Sequence, residues 1–591
     1  MKQFFKFVLA TIVGVVLSFF VLILVFALVL GGIIASAGGE KSTMVDNNSI
    51  LYISIQKAIE ERTPDNPLEG LEFLGLGGDK SIGLKDILAN IKKAKTDDKI
   101  KGIFLDESYM QSGQATTEEI RNGLIDFKKS GKFVVAYSEI YTKGFYYLAS
   151  VADKIYLNPK GMLEFDGFSS DVTFYKGALD KLGIEAQVIK VGTYKSAVEP
   201  YILTKMSDAN RLQVNSYINS LYNHYLNGIS VSRKINKDSL YKYADDLYIR
   251  EPEDALKYKL VDGLKYKDEI IAELKKRTGT SAKNDLHTVD VVDYTNAPVG
   301  DKDDVSSNRI AMVYASGEIA GGEGNDNSIG SETLSKALRK VRLDEKVKAV
   351  VLRINSPGGS SLASDVIWRE VLLTRKVKPV IVSMGDVAAS GGYYIACAAD
   401  SIYAQPNTVT GSIGIFAILP NMQKLLNDKL GITFDNVKTG KYADMGSVDR
   451  PLTADERAIL QAQVNRGYFD FTKAVADGRH KTREYIDSIG QGRVWTGEQA
   501  IKIGLVDRLG SINNAVKSAA KMAKLKDYRV VDYPDQKSVL KSLSSSFSAK
   551  IREDMVKEEL GEHYGVYKQI KGLTQMMRVP QARMFYNVEI R

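Results

Sequence analysis

The stretch "YYIACAADSIYAQP", Tyr393–Pro406, has an earlier counterpart in "YYLASVADKIYLNP", Tyr146–Pro159, 247 positions upstream. The likeness persists on both sides of that pair. "DDKIKGIFL" (Asp97–Leu105) matches "DEKVKAVVL" (Asp344–Leu352), again at 247. "VIKVGTYKSA" (Val188–Ala197) resembles "NVKTGKYADM" (Asn436–Met445) at 248, and "EDALKYKLVDGL" (Glu253–Leu264) resembles "EQAIKIGLVDRL" (Glu498–Leu509) at 245. "VVDY" recurs at Val291–Tyr294 and Val530–Tyr533. Matches in one order at nearly constant spacing are the signature of an internal repeat. The greater part of the chain is therefore one unit of about 240 residues written twice.

Within the second copy, strand and helix patterns alternate. "NRIAMVYASGEI" (Asn308–Ile319) reads as a strand entering a glycine-rich loop, and "SETLSKALRKVRLD" (Ser331–Asp344) carries apolar residues at helical spacing. "VKAVVLRIN" (Val347–Asn355) is a near-continuous apolar run, the pattern of a parallel strand covered on both faces. A helix (Ser361–Arg375), a strand (Lys378–Gly385) and another helix (Ser390–Ala399) follow. This order predicts an α/β architecture with right-handed crossovers.

The repeats are preceded by a run without charge from Phe7 to Gly39. A membrane span needs about 20 apolar residues, whereas a signal-peptide core has about 7–15. The run predicts a transmembrane anchor, although Ala35-Ser36-Ala37 resembles a cleavage site. Lys2 and Lys6 precede it, while Glu40 and Lys41 nearly cancel after it, so the N-terminus is expected in the cytoplasm. The expected divisions are a cytoplasmic segment (1–6), the anchor (7–39), a first repeat (45–276), a linker with one strand (277–307), a second repeat (308–534) and a helical, basic tail (535–591). The net charge of +8 comes from 80 basic and 72 acidic residues that are well mixed, which argues against a nucleic-acid-binding stripe. A single cysteine, Cys397, excludes an intramolecular disulfide framework. The four histidines, His224, His287, His480 and His563, are too scattered for a metal site, and no cofactor is expected.

Two turns of the second copy carry candidate chemistry. "INSPGGSS" (Ile354–Ser361) ends a strand, and Gly358 and Gly359 leave backbone N–H groups open near a helix N-terminus, as an oxyanion or phosphate site requires. No phosphate-loop or dinucleotide fingerprint accompanies it. "ASGG" places Ser390 and Gly391 at the start of the next helix. Adjacent parallel strands would set the two turns side by side, with Ser390 facing the glycine amides. An ordinary pair of tight turns fits the same letters. The comparison between copies discriminates. The first copy has Lys143 at the place of Ser390 and lacks the Pro-Gly-Gly turn, but it has Lys195 where the second has Ala443; Lys441 is out of register by two. Each copy thus lacks one member of a serine–lysine pair that the other supplies. Such pairs perform acyl transfer when burial keeps the lysine neutral. Ser412, in "TVTGSIGIFA" (Thr408–Ala417), could orient the amine or be a plain turn serine.

At "NSPGG", "DVAASGGYYIA", "TGSIGIF", "GRVWTGEQAIKIGLVD" and "GTYKSAVEPY" the chain resembles the signal peptide peptidase A family of serine–lysine proteases, in its long, tandem-repeat form. The resemblance runs from the anchor to about Tyr533. It implies a ClpP/crotonase-like fold in each repeat and a membrane-tethered homotetramer in the bacterial inner membrane, with catalytic domains on the periplasmic side. It also implies apolar peptides and signal-peptide remnants as substrates. Ser390 takes the nucleophile's role, Lys195 the general base's and Ser412 the orienting one, with Gly358, Gly359 and Gly391 in the oxyanion region. A crotonase-like acyl-CoA enzyme and a non-catalytic membrane scaffold are the rival readings.

Overall fold

The computed structural model describes residues 2–37, 43–55, 58–64, 82–298, 306–325, 327–535 and 580–584, with isolated positions at 556, 559 and 561. The N-terminal helix, Lys2–Ala37, contains a segment, Lys6–Val25, with a mean hydropathy of 3.0 and no burial against the rest of the chain. It is long and apolar enough to cross a membrane.

Each repeat builds its own parallel sheet. In the first, the strands run in the order Gly263–Leu264, Lys154–Leu163, Phe133–Tyr141, Ile100–Asp106, Ser49–Ile53, Thr288–Asp290. In the second, the corresponding path is Val409–Gly411, Val380–Ala389, Val347–Ser356, Arg309–Ser316, Arg529–Tyr533, with Val494–Thr496 added antiparallel at one edge. Ser401–Ala404 also pairs with Val380–Ala389, and in turn with Arg508–Leu509. The apolar run at Val347–Asn355 forms the middle of this sheet, buried along nearly its whole length because helices cover both faces. The helix Ser331–Leu343 buries Leu334, Ala337, Leu338 and Val341, the stripe that the 3.6-residue period dictates.

The strand expected within residues 277–307 lies at Thr288–Asp290, one step ahead of "VVDY". Val291 N–H still bonds Tyr52 O, but the chain then turns into a 3₁₀ helix, Asp293–Asn296. The segment closes the first sheet by pairing with Ser49–Ile53. Of the tail expected to be helical, residues 536–579 lie outside the described residues apart from the three isolated positions. Its described end corrects the expectation: Gln581–Arg583 is a strand, because backbone partners flank it on both edges.

A third sheet joins the repeats. Its order is Ser328–Gly330, Glu318–Ala320, Gly358–Ser360, Gln581–Arg583, Ile415–Asn421, Glu185–Val191. The last two strands, one from each repeat, pair antiparallel over seven positions, from Ile415 opposite Val191 to Asn421 opposite Glu185. A second junction is ionic. Arg353, fully buried on the second repeat's central strand, reaches Glu61 and Glu119 of the first at 2.7 Å each.

Candidate functional site

The antiparallel pairing of Glu185–Val191 with Ile415–Asn421 carries the loop after Val191 onto the second repeat. There Tyr194 N–H donates to Gln491 O at 2.8 Å, and Gly192 adopts φ +107 with its Cα against that same carbonyl. A side chain on Gly192 would meet the Gln491 oxygen at 2.5 Å, so only glycine fits. Lys195 follows and enters the interior with only 1% of its surface exposed.

Its amine meets the predicted partners. Lys195 Nζ lies 2.8 Å from Ser390 Oγ, 3.0 Å from Ser412 Oγ and 3.0 Å from the Ser412 carbonyl oxygen. Among the described residues, no carboxylate is bonded to it. Burial alone pushes the amine well below the usual lysine range, because charge is costly where water is excluded and no anion compensates. Ser390 is fully buried and sits at φ +55, ψ −114, a conformation that a side-chain-bearing residue rarely adopts. Its N–H donates to Gly411 O, and its carbonyl accepts from Tyr394 N–H as the first turn of the following helix forms. Ser412 is also left-handed, at φ +51, with its N–H donating to Arg493 O.

The glycine turn lies beside them. Val347–Ser356 and Val380–Ala389 run parallel with Ser356 opposite Ala388, so the two turns at their ends adjoin. A methyl on Gly358 (φ +97) would meet Gly391 N at 2.6 Å, and one on Gly391 would lie 3.2 Å from Gly358 Cα. Gly358 N–H donates to Ser356 Oγ at 3.1 Å. Gly359 continues into the short strand Gly358–Ser360. The six sequence-predicted residues therefore fall in one place.

The duplicate place in the first repeat is filled. Lys143 pairs with Asp166 at 2.8 Å, and Phe165, in the register of Ser412, packs among Tyr146 and Tyr225. In the second repeat, Lys441 is exposed and bonded to Asp455. Among the described residues, no group of three or more His, Cys, Asp or Glu could hold a metal ion.

Sequence reading missed the supports of Lys195. Gln213 Nε2 donates to Tyr194 O at 3.0 Å and to Ser196 Oγ at 2.8 Å, while its oxygen accepts from Val494 N–H. Asn210 and Ser207 hold Glu199 beneath the loop. These residues lie on the helix Asp208–Arg233, or just before it, where a polar face looks like a solvated one. Gly492 (φ +81), the first residue of "GRVWTG", lies so close that a methyl there would come within 2.7 Å of the Lys195 backbone. The motif carried that signal; its meaning needed the partner loop.

Two α/β units share this site, and the comparisons give the class of the chain, a serine protease. Peptidase family S49 matches the chain at residues 126–281 and 373–526, once in each repeat. "Protease 4" from Salmonella typhi is 38% identical over 90% of this chain and 88% of its own length. "Protease 4" from Haemophilus influenzae is 35% identical over 91% and 90%. "Serine protease SPPA, chloroplastic" from Arabidopsis thaliana is 32% identical over 85% of this chain and 74% of its own. A ClpP1 mutant from Listeria monocytogenes matches with a TM-score of 0.24 at 18% identity, over 35% of this chain and 94% of that one. The chain belongs to peptidase family S49, in the tandem-domain form represented by the bacterial relatives.

Proposed function

We propose that this chain is a membrane-anchored endopeptidase with a serine–lysine dyad, degrading remnant signal peptides and other apolar peptides outside the cytoplasm as a homotetramer. The observation that carries the dyad is the 2.8 Å contact between two buried groups, Lys195 Nζ and Ser390 Oγ, from different repeats. Neutral Lys195 takes the proton of Ser390 as Oγ attacks the peptide carbonyl. The oxyanion is held by amides around Gly358, Gly359 and Gly391, with Gly358 N–H exchanging Ser356 Oγ for the new anion. Lys195 then gives its proton to the leaving amine and takes another from the water that hydrolyses the acyl-enzyme. Ser412, through its hydroxyl and its carbonyl, keeps the amine aimed at Ser390. The substrate class rests on the resemblance to signal peptide peptidase A and on a further relative's name, "Putative signal peptide peptidase SppA" from Enterococcus faecium, and the location on the apolar N-terminal helix.

A fluorophosphonate probe tests the nucleophile. It should modify Ser390 stoichiometrically, as peptide mapping reads, and modification should vanish in Ser390→Ala. Modification at another serine with Ser390 untouched overturns the assignment, whereas an acyl-CoA enzyme would leave the probe unreacted.

Gly492→Ala should act through position. The methyl would meet the Lys195 backbone at 2.6–2.7 Å, so the loop that carries the amine has to shift. Misplacement of about 1 Å costs roughly 10²-fold in rate. The expected result is a kcat lowered by that order with near-native circular dichroism; an unchanged kcat would show that the loop absorbs the contact elsewhere.

A further inference from the structure

The strand that ends at Ser390 does not pair evenly with its neighbour. Ile354 stands opposite Met384 and Ser356 opposite Ala388, so Gly385, Asp386 and Val387 face Asn355 alone. A bulge of this kind re-aims a side chain and is common beside active sites. Asn355 spans it: its Oδ1 accepts from Val387 N–H at 3.1 Å, and its Nδ2 donates to Glu61 of the first repeat at 3.0 Å. Asp386, at the middle of the bulge, also reaches the first repeat. Its carboxylate accepts from Thr116 N–H at 2.9 Å and from Thr116 Oγ1 at 2.6 Å, in the first turn of the helix Gln114–Lys128. A methyl on Gly113, the residue before that helix, would meet the Asp386 carboxyl carbon at 2.1 Å. The same helix end holds the approach to Ser412: Gln114 O accepts from Asn407 Nδ2 at 3.0 Å, just ahead of the strand Val409–Gly411.

The repeat gives this contact its meaning. Gln114–Lys128 is the counterpart, 247 positions earlier, of Ser361–Arg375, the helix behind the Pro-Gly-Gly turn. In the first copy that glycine turn is gone, and a carboxylate from the other repeat occupies the mouth of the helix. The partial positive charge of a helix N-terminus favours such an anion.

We propose that Asp386 is a positioning residue for the nucleophile: the first repeat grips its carboxylate at Thr116, and that grip, four residues before Ser390, holds the serine at the distance from Lys195 that proton transfer needs. The inference rests on the reading of Ser390 as nucleophile. Ser390 keeps its rare backbone conformation only while its surroundings over-determine it. Its N–H bond to Gly411 O, and the bond from Thr410 Oγ1 to Ala388 O, come from its own repeat. Asp386 adds a tie to the repeat that carries Lys195. Both halves of the dyad are thereby fixed to one body, Lys195 through Gln213 and Ser390 through Thr116.

The test uses the full-length chain. Asp386→Ala should lower kcat on an apolar fluorogenic peptide roughly 10–10²-fold per folded molecule, with KM little changed, and should slow fluorophosphonate modification of Ser390 by a similar factor. Asp386→Asn, which keeps an acceptor for Thr116 N–H, should recover much of the loss. Thr116→Val added to Asp386→Ala should cost little more, because the two changes remove one contact. Gly113→Ala pushes the carboxylate off the helix by a change in the first repeat, should lower kcat in the same direction, and serves the same comparison if Asp386→Ala does not fold. A merely structural tie would lower the unfolding temperature and leave kcat and the modification rate per folded molecule unchanged; that result overturns the proposal. Amide hydrogen exchange over residues 385–394 separates the two readings. If no serine of the wild-type chain reacts with the probe, the dyad reading fails alone. Faster exchange of that segment in Asp386→Ala and Gly113→Ala than in wild type then upholds the grip on the turn, and equal exchange sinks it.

Discussion

Lys195→Ala should fold, and its turnover of apolar peptides should fall at least about 10³-fold, the scale on which loss of one member of a nucleophile–base unit is measured. The fall should appear in kcat, because the amine bonds Ser390 and Ser412. The wild-type pH profile carries the second half of the expectation. With Lys195 as the base, as proposed, activity requires the unprotonated amine, so kcat/KM should rise with pH through the depressed lysine pKa and level off above it, well before the range of an ordinary lysine. The linkage has a definite sign. A lysine whose folded pKa lies below its unfolded one binds fewer protons in the folded state, so its burial opposes folding at low pH, and that opposition fades as pH rises toward the unfolded value. Lys195→Met should therefore gain stability relative to wild type as the solution is acidified, as urea unfolding at two pH values would read. A variant that keeps normal turnover, or a profile that still climbs at the pH of a free lysine, would remove Lys195 from the mechanism.

Arg353→Ala should cost about 3–5 kcal/mol, the scale for stripping one partner from a buried ion cluster. Arg353 holds two carboxylates of the first repeat, and its Nη1 also donates to Ser383 Oγ and Met384 O. Without it, Glu61 and Glu119, both of the first repeat, lie at the junction with no cation between them. Glu61 is already pushed up by burial. A carboxyl with a raised folded pKa weakens folding above that pKa and ceases to do so as pH falls and the group is protonated. The loss should consequently shrink between pH 8 and pH 5, and Arg353→Met combined with Glu61→Gln and Glu119→Gln should recover most of it. A loss under about 1 kcal/mol, or one indifferent to pH, would mean that water or rearrangement compensates the carboxylates.

The repeat, the order of strands and helices, and the residues that the structure brings together around Ser390 were legible because each is marked locally. Apolar runs mark covered strands, glycines mark turns, and comparison of the copies shows what each has lost. The lysine loop's supports were not legible, since nothing in the letters of Gln213, Asn210 and Glu199 marks the partners that folding brings to them, and in a linear reading they resemble surface residues. Arg353 escaped notice for the same reason: an arginine inside "VVLRIN" carries no mark of the two glutamates that meet it from the other repeat. The strand at Gln581–Arg583 was read as helical tail because its conformation comes from its neighbours' open edges rather than from its own pattern.

The ladder between Glu185–Val191 and Ile415–Asn421 also has a temporal meaning. A ribosome finishes the strand that leads to Lys195 more than two hundred residues before its mate. Until that mate emerges and zips against it, the Lys195 amine and the Ser390 hydroxyl have no common address, so a half-made chain cannot bring the pair together.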